Sequence, residues 1–174
     1  EFIFEPNYYK KYVGFDGNNN FTLFNTNTNE MAGGVRIKSI IANDNNGNTI
    51  EKKYQYTVDK NSNESSGVLG IKNTYYWPEW KTNTYDKPGS YTETIFSINN
   101  IIPLGNFSGS HIAYSKVFEI TENKGYIENV FSDFSDHPDE NYLSTLCPDR
   151  SIFDSHINND FLRGKLKKQI IYNN

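Results

Sequence analysis

The sequence predicts an all-β fold, a mainly antiparallel sheet of successive β-hairpins, and three observations carry that expectation. Aromatic residues make up 16% of the 174, with 13 Tyr and 12 Phe, and rings and β-branched side chains fit half-buried pleated surfaces better than helices. Period-two alternation of apolar and polar residues flanks turn signals at Asn46-Gly47 and again at Gly125. No stretch sustains the 3.6-residue apolar period of a long helix. The length suits one domain, residues 1–174, large enough to bury a core without disulfide staples.

The first hairpin is expected over residues 35–57. Val35, Ile37 and Ile41 share one parity while Arg36 and Lys38 take the other, and beyond the turn Ile50, Tyr54 and Tyr56 alternate with Glu51, Lys53 and Gln55. Asn-Gly supplies the positive φ angles of a tight turn. A second hairpin is expected over 111–134, where Ile112, Tyr114, Phe118 and Ile120 share a parity and Gly125 closes the loop. Each is introduced by small residues, Gly33-Gly34 and Gly109-Ser110. A terminal strand is expected over 165–172, with Leu166, Ile170 and Tyr172 in register. A lone strand with unpaired amides is unfavourable, so its return partner is expected beyond Asn174 or from another chain, as in a segment of a larger β-repeat protein.

Between these elements lie two less regular parts. Residues 71–91 form an aromatic excursion broken by Pro78 and Pro88-Gly89, and residues 135–162 form an irregular stretch with Pro138 and Pro148.

Composition excludes several function classes. The net charge is -4, from 17 basic and 21 acidic residues, and no basic stripe is present to track a phosphate backbone, so no nucleic-acid partner is expected. No apolar run approaches the roughly 20 residues of a membrane-spanning helix. The single cysteine, Cys147, excludes an internal disulfide. Neither a Gly-rich phosphate loop nor a paired Cys-x-x-Cys occurs. Cys147 with His137 or His156 matches no nucleophile pattern, so no enzymatic role is expected.

The ordered set "YVGFDGNNN", "AGGVRIKSI", "KKYQYT", "SSGVLG", "GSHIAYSKVFE", "FSDFSDHPD" and "RGKLKKQIIYN" resembles the large secreted or surface proteins of the Bacteroidetes with Rhs-like or YD-repeat-like hairpins. The resemblance runs from about Tyr12 to Asn173, and Asn173 stands where that repeat usually has Asp. It implies a segment of a long antiparallel β protein, extracellular or on the outer-membrane surface, exported by the type IX system. It also implies a scaffold role whose partners are the remainder of a longer chain or other surface proteins.

Two groups of residues are candidates for contacts. Tyr75, Tyr76, Trp77, Trp80 and Tyr85 form the densest aromatic group; exposed rings of this kind anchor a partner protein or stack on a glycan, which gives the alternative expectation of a carbohydrate-binding module. Asp133, Asp136, Asp139 and Glu140, with His137 among them, form an acidic stretch able to gather oxygen ligands around Ca2+; no other cofactor is expected. Asp44, Asn46 and Asn48 start like a calcium loop, but Thr49 and Gln55 occupy the places of its Gly and its closing Glu, so a hairpin turn is expected there.

Overall fold

The computed structural model describes residues 1–16, 21–44, 46–71, 76–83, 89–98, 110–122, 124–141, 156–157 and 159–173. The fold is all-β. Its strands are β1 (Phe2–Phe15), β2 (Phe21–Asn43), β3 (Thr49–Gln55), β4 (Gly67–Ile71), β5 (Tyr76–Asn83), β6 (Gly89–Phe96), β7 (Ile112–Tyr114), β8 (Lys116–Thr121), β9 (Gly125–Phe131), β10 (Glu140–Asn141), β11 (His156–Ile157) and β12 (Leu166–Tyr172). The only helical element among the described residues is a single 3-10 turn, Asp160–Leu162. Eight strands form one open mixed sheet in the order β12-β9-β8-β3-β2-β1-β4-β7. All neighbours run antiparallel except β1 and β4. Two small antiparallel ribbons, β5 with β6 and β10 with β11, stand apart from it in pairing.

The longest feature is the ribbon of β1 and β2, whose pairing runs from Phe2 opposite Ile40 to Phe15 opposite Phe21. Irregularities after Ile3, Pro6 and Tyr9 place extra residues on β2, and such bulges raise the twist of a strand. One of them is the Gly33-Gly34 pair, with Gly34 at φ 78°. The small residues expected to introduce a hairpin therefore lie inside a 23-residue strand, where glycine accommodates a bulge that an L side chain would strain.

The same bulges correct the expected face of β2. Val35, Ile37 and Ile41 share a parity, but Ser39 faces Ile3 while Ile37 faces Phe4, so the residue between them is skipped and the faces exchange. Val35 is left 65% exposed, and the small Ser39 is buried instead.

β2 turns through Asp44–Asn48 into β3, with Asn43 opposite Thr49 and Ser39 opposite Lys53. β3 pairs onward with β8, and β8 with β9 across a turn where Gly125 sits at φ 94°. Gly125 has a second reason to lack a side chain, since an added Cβ would lie 2.0 Å from the Tyr172 carbonyl oxygen.

The segment from Ile112 to Thr121 divides at Ser115. Its first part, β7, pairs with β4; its second, β8, pairs with β3. Ser115 donates its amide to the Ser66 carbonyl at 3.2 Å and accepts from the Phe131 amide at 2.8 Å. The open sheet thereby curls back on itself, and Val13, Val68 and Phe134 form a buried cluster with Phe21, Leu23 and Ala113 packed against it.

β12 finds a partner inside the chain, which corrects the expectation that its partner lies beyond Asn174 or in another chain. Residues Leu166 to Tyr172 run antiparallel to β9, from Phe131 to Tyr126. The 3-10 turn and Gly164 at φ 73° aim the chain back along β9, and the Ser132 hydroxyl accepts from the Lys165 amide at 3.0 Å while donating to the Leu162 carbonyl at 2.8 Å. Tyr172 then stacks on Tyr126 at 4.4 Å, and Lys60 stands 4.1 Å from the Tyr126 ring centre. β12 is the last strand of the sheet order, so one of its edges bears no strand among the described residues.

Candidate functional site

A polar group of the sheet gathers around Arg36, which stands opposite Glu5 across the β1–β2 ribbon. The Arg36 Nε donates to Glu5 Oε1 at 2.7 Å, and its side chain is 13% exposed. Its guanidinium lies 4.3 Å from the Tyr56 ring centre, 5.0 Å from that of Tyr114 and 5.7 Å from that of Tyr8. Nη1 is buried with no hydrogen-bond acceptor among the described residues; the electron-rich faces of the rings stand in for one.

The surrounding groups fix the rings. Tyr56 and Tyr114 pack at 4.7 Å, and the Tyr56 hydroxyl donates to the Ile37 carbonyl at 2.7 Å. The Tyr114 hydroxyl donates to Asn7 Oδ1 at 3.0 Å, and Asn7 Nδ2 donates to the Gly33 carbonyl at 3.0 Å. That carbonyl also meets His111 Nε2 at 2.8 Å, so the glycine bulge is bound from two sides. Burial pushes the Tyr56 phenol up to about 12, against the opposing pull of Arg36, and raises Tyr114 for the same reason. Both rings stay neutral at physiological pH. The arrangement accommodates a cation inside a curled sheet and ties β1, β2, β7 and Tyr56, the residue that follows β3, together.

A second group closes the far end. Arg163 is fully buried, ion-paired to Asp139, and donates from Nε to the His137 carbonyl at 2.7 Å. Its guanidinium covers the Phe134 ring at 4.5 Å. Asp139 Oδ1 also accepts from the Asn159 amide at 2.9 Å, while Oδ2 is buried without a hydrogen-bond partner among the described residues.

The structure uses the acidic residues singled out for Ca2+ in different ways. Asp139 meets Arg163, Asp136 meets Lys167 at 2.5 Å, and Asp133 accepts from the Ser135 amide at 2.7 Å within its own turn. The side chain of Glu140 lies outside the described residues. Burial opposes ionisation of Asp136, but Lys167 and the Asp133 amide outweigh it and hold the carboxyl below its usual range. Among the described residues no three His, Cys, Asp or Glu side chains converge as metal ligands.

Of the aromatic candidates, Tyr76, Trp77 and Trp80 lie on β5, opposite Phe96, Ile95 and Thr92 of β6. Tyr75 and Tyr85 lie outside the described residues. Positions 77 and 80 differ in parity along the strand, so they belong to different rows of alternate residues.

The group that sequence reasoning missed is the one around Arg36, whose members are spread from Glu5 to Tyr114. Its one local signal was the Gly33-Gly34 pair, read as a strand start. On the outer surface, Phe2, Phe4, Val35, Ile50, Leu166 and Ile171 are exposed apolar residues of the main sheet. No helix among the described residues is long and apolar enough to cross a membrane. Comparison with family models, curated proteins and solved structures finds no match to the chain.

Proposed function

We propose that this chain is a non-enzymatic scaffold and interaction segment of a large Rhs-like secreted or cell-surface protein, a cargo or surface-complex component of type IX secretion. The observation that carries the reading is the division of labour in the sheet. Its charged side chains in the two arginine groups are turned on one another, whereas apolar side chains remain outside and one edge of β12 bears no strand among the described residues. A free strand edge is a template for an added strand, with backbone hydrogen bonds giving affinity and neighbouring side chains giving selectivity.

A photo-crosslinker placed at Ile171, on the free-edge strand, tests this in cells that export the protein. Adducts joining position 171 to a second polypeptide, or to a distant part of a longer chain, are the expected result. If only β9 is labelled and the protein stays inside the cell, the reading is wrong.

The alternative, a carbohydrate-binding module, is favoured by the ribbon of β5 and β6, which pairs outside the main sheet and carries Tyr76, Trp77 and Trp80. Glycan-array binding that disappears in Trp80→Ala would select it over the scaffold.

A further inference from the structure

We propose that Asn46 is a site of spontaneous deamidation, which converts the β2–β3 turn from an amide into a mixture of aspartate and isoaspartate and loosens the hairpin. The chain contains one Asn-Gly pair, Asn46-Gly47, and the structure sets it on an exposed turn. The reaction needs the backbone nitrogen of the following residue to reach the Asn side-chain carbon, and a glycine there presents no side chain in the way. Gly47 has φ 87°, and an added Cβ would find nothing within 4 Å. Among the described residues its amide is tethered only by a 3.4 Å bond to the Asp44 carbonyl. The Asn46 side chain has no hydrogen-bond partner among the described residues, whereas Asn48 Nδ2 is held on Asp44 Oδ2 at 2.7 Å.

In the step itself the Gly47 nitrogen bonds to Cγ of Asn46, the Cγ–Nδ2 bond breaks, and ammonia leaves, giving a five-membered succinimide. Water then opens the ring. Attack at Cγ restores the backbone and leaves aspartate; attack at the main-chain carbonyl leaves isoaspartate, with the backbone routed through one additional carbon. One water is consumed and one ammonia released, with no change of oxidation state.

Either product disturbs the turn. Asp44 already accepts from the amides of Asn46 at 2.9 Å and Asn48 at 2.8 Å, so a second carboxylate beside it introduces like-charge repulsion. Isoaspartate also lengthens a connection that must keep Asn43 opposite Thr49.

The test is peptide mapping by mass spectrometry, with fragmentation that separates isoaspartate from aspartate, after incubating the folded chain at neutral and mildly alkaline pH. Acid forms should accumulate at Asn46 several-fold faster than at Asn48, faster still as pH rises, and not in Asn46→Gln, whose longer side chain closes its ring slowly. Backbone amides of residues 40–43 and 49–52 should exchange hydrogen several-fold faster in the modified fraction, and by less in Asn46→Asp, which adds the charge alone. Conversion at Asn46 no faster than at Asn48 overturns the assignment of the site. Unchanged exchange in the isoaspartate fraction overturns the loosening.

Discussion

Arg36 and Arg163 face similar partners, a carboxylate and aromatic rings, but in different settings. Arg36 sits among three tyrosines with a carboxylate that is itself 25% exposed. Arg163 is 0% exposed, and its Asp139 side chain is 1% exposed. The first cation keeps some access to water and gains much of its stabilisation from ring faces. The second is fully desolvated, so its charge and that of Asp139 are tolerable only together. Burial, more than the number of partners, therefore decides what the loss of each arginine would cost.

The largest effect should follow Arg163→Met, which leaves Asp139 buried and unpaired. A loss of about 3–5 kcal/mol is expected, read as an earlier denaturation midpoint at unchanged slope. Adding Asp139→Asn should recover a substantial part, because the remaining group is then neutral and still accepts from the Asn159 amide. A single variant as stable as the parent would show that the pair is not desolvated as described. Arg36→Met should cost less, about 2 kcal/mol, from the lost ring contacts and the hydrogen bond to Glu5; a cost equal to that at Arg163 would break the comparison.

The smallest effect concerns pH. The Tyr56 phenol titrates at about 12 in the fold against 10.0 ordinarily. A group whose folded pKa is raised contributes stability that is complete below the unfolded value and disappears as pH climbs through the folded one. Alkaline unfolding curves should therefore fall between pH 10 and about 12, with a shallower decline in Tyr56→Phe. An identical decline in that variant would assign the alkaline sensitivity to other groups, such as Tyr9, which burial and Glu30 also raise.

How much of this was legible in the sequence depends on how local the signal was. The β class follows from alternation and ring content, and Asn46-Gly47 and Gly125 mark turns through chemistry that acts within a few residues. The length of β2 was hidden, because irregularities interrupt its pairing at three places and reset its parity at two of them, and glycine reads as a boundary along the sequence. The Arg36 group was hidden for another reason. Glu5 and Arg36 are 31 residues apart in the chain, and Tyr114 bonds to Asn7 across 107, so no short motif announces them. Likewise Asp139 looked like one of several equivalent carboxylates until the chain brought Arg163 onto it.

The break at Ser115 bears on how the molecule comes apart. Counting Ile112–Thr121 as a single segment, five runs of chain follow one another around the curl: β1, β2, β3, that segment and β4. An odd cycle cannot alternate direction throughout, so one like-directed neighbour is unavoidable, and it falls between β1 and β4. β4 is thus the clasp of the cycle, held by three residue pairs on each flank, and Gly67 keeps it shut by lying so close to Tyr8 that an added methyl would meet the Tyr8 carbonyl oxygen at 2.3 Å.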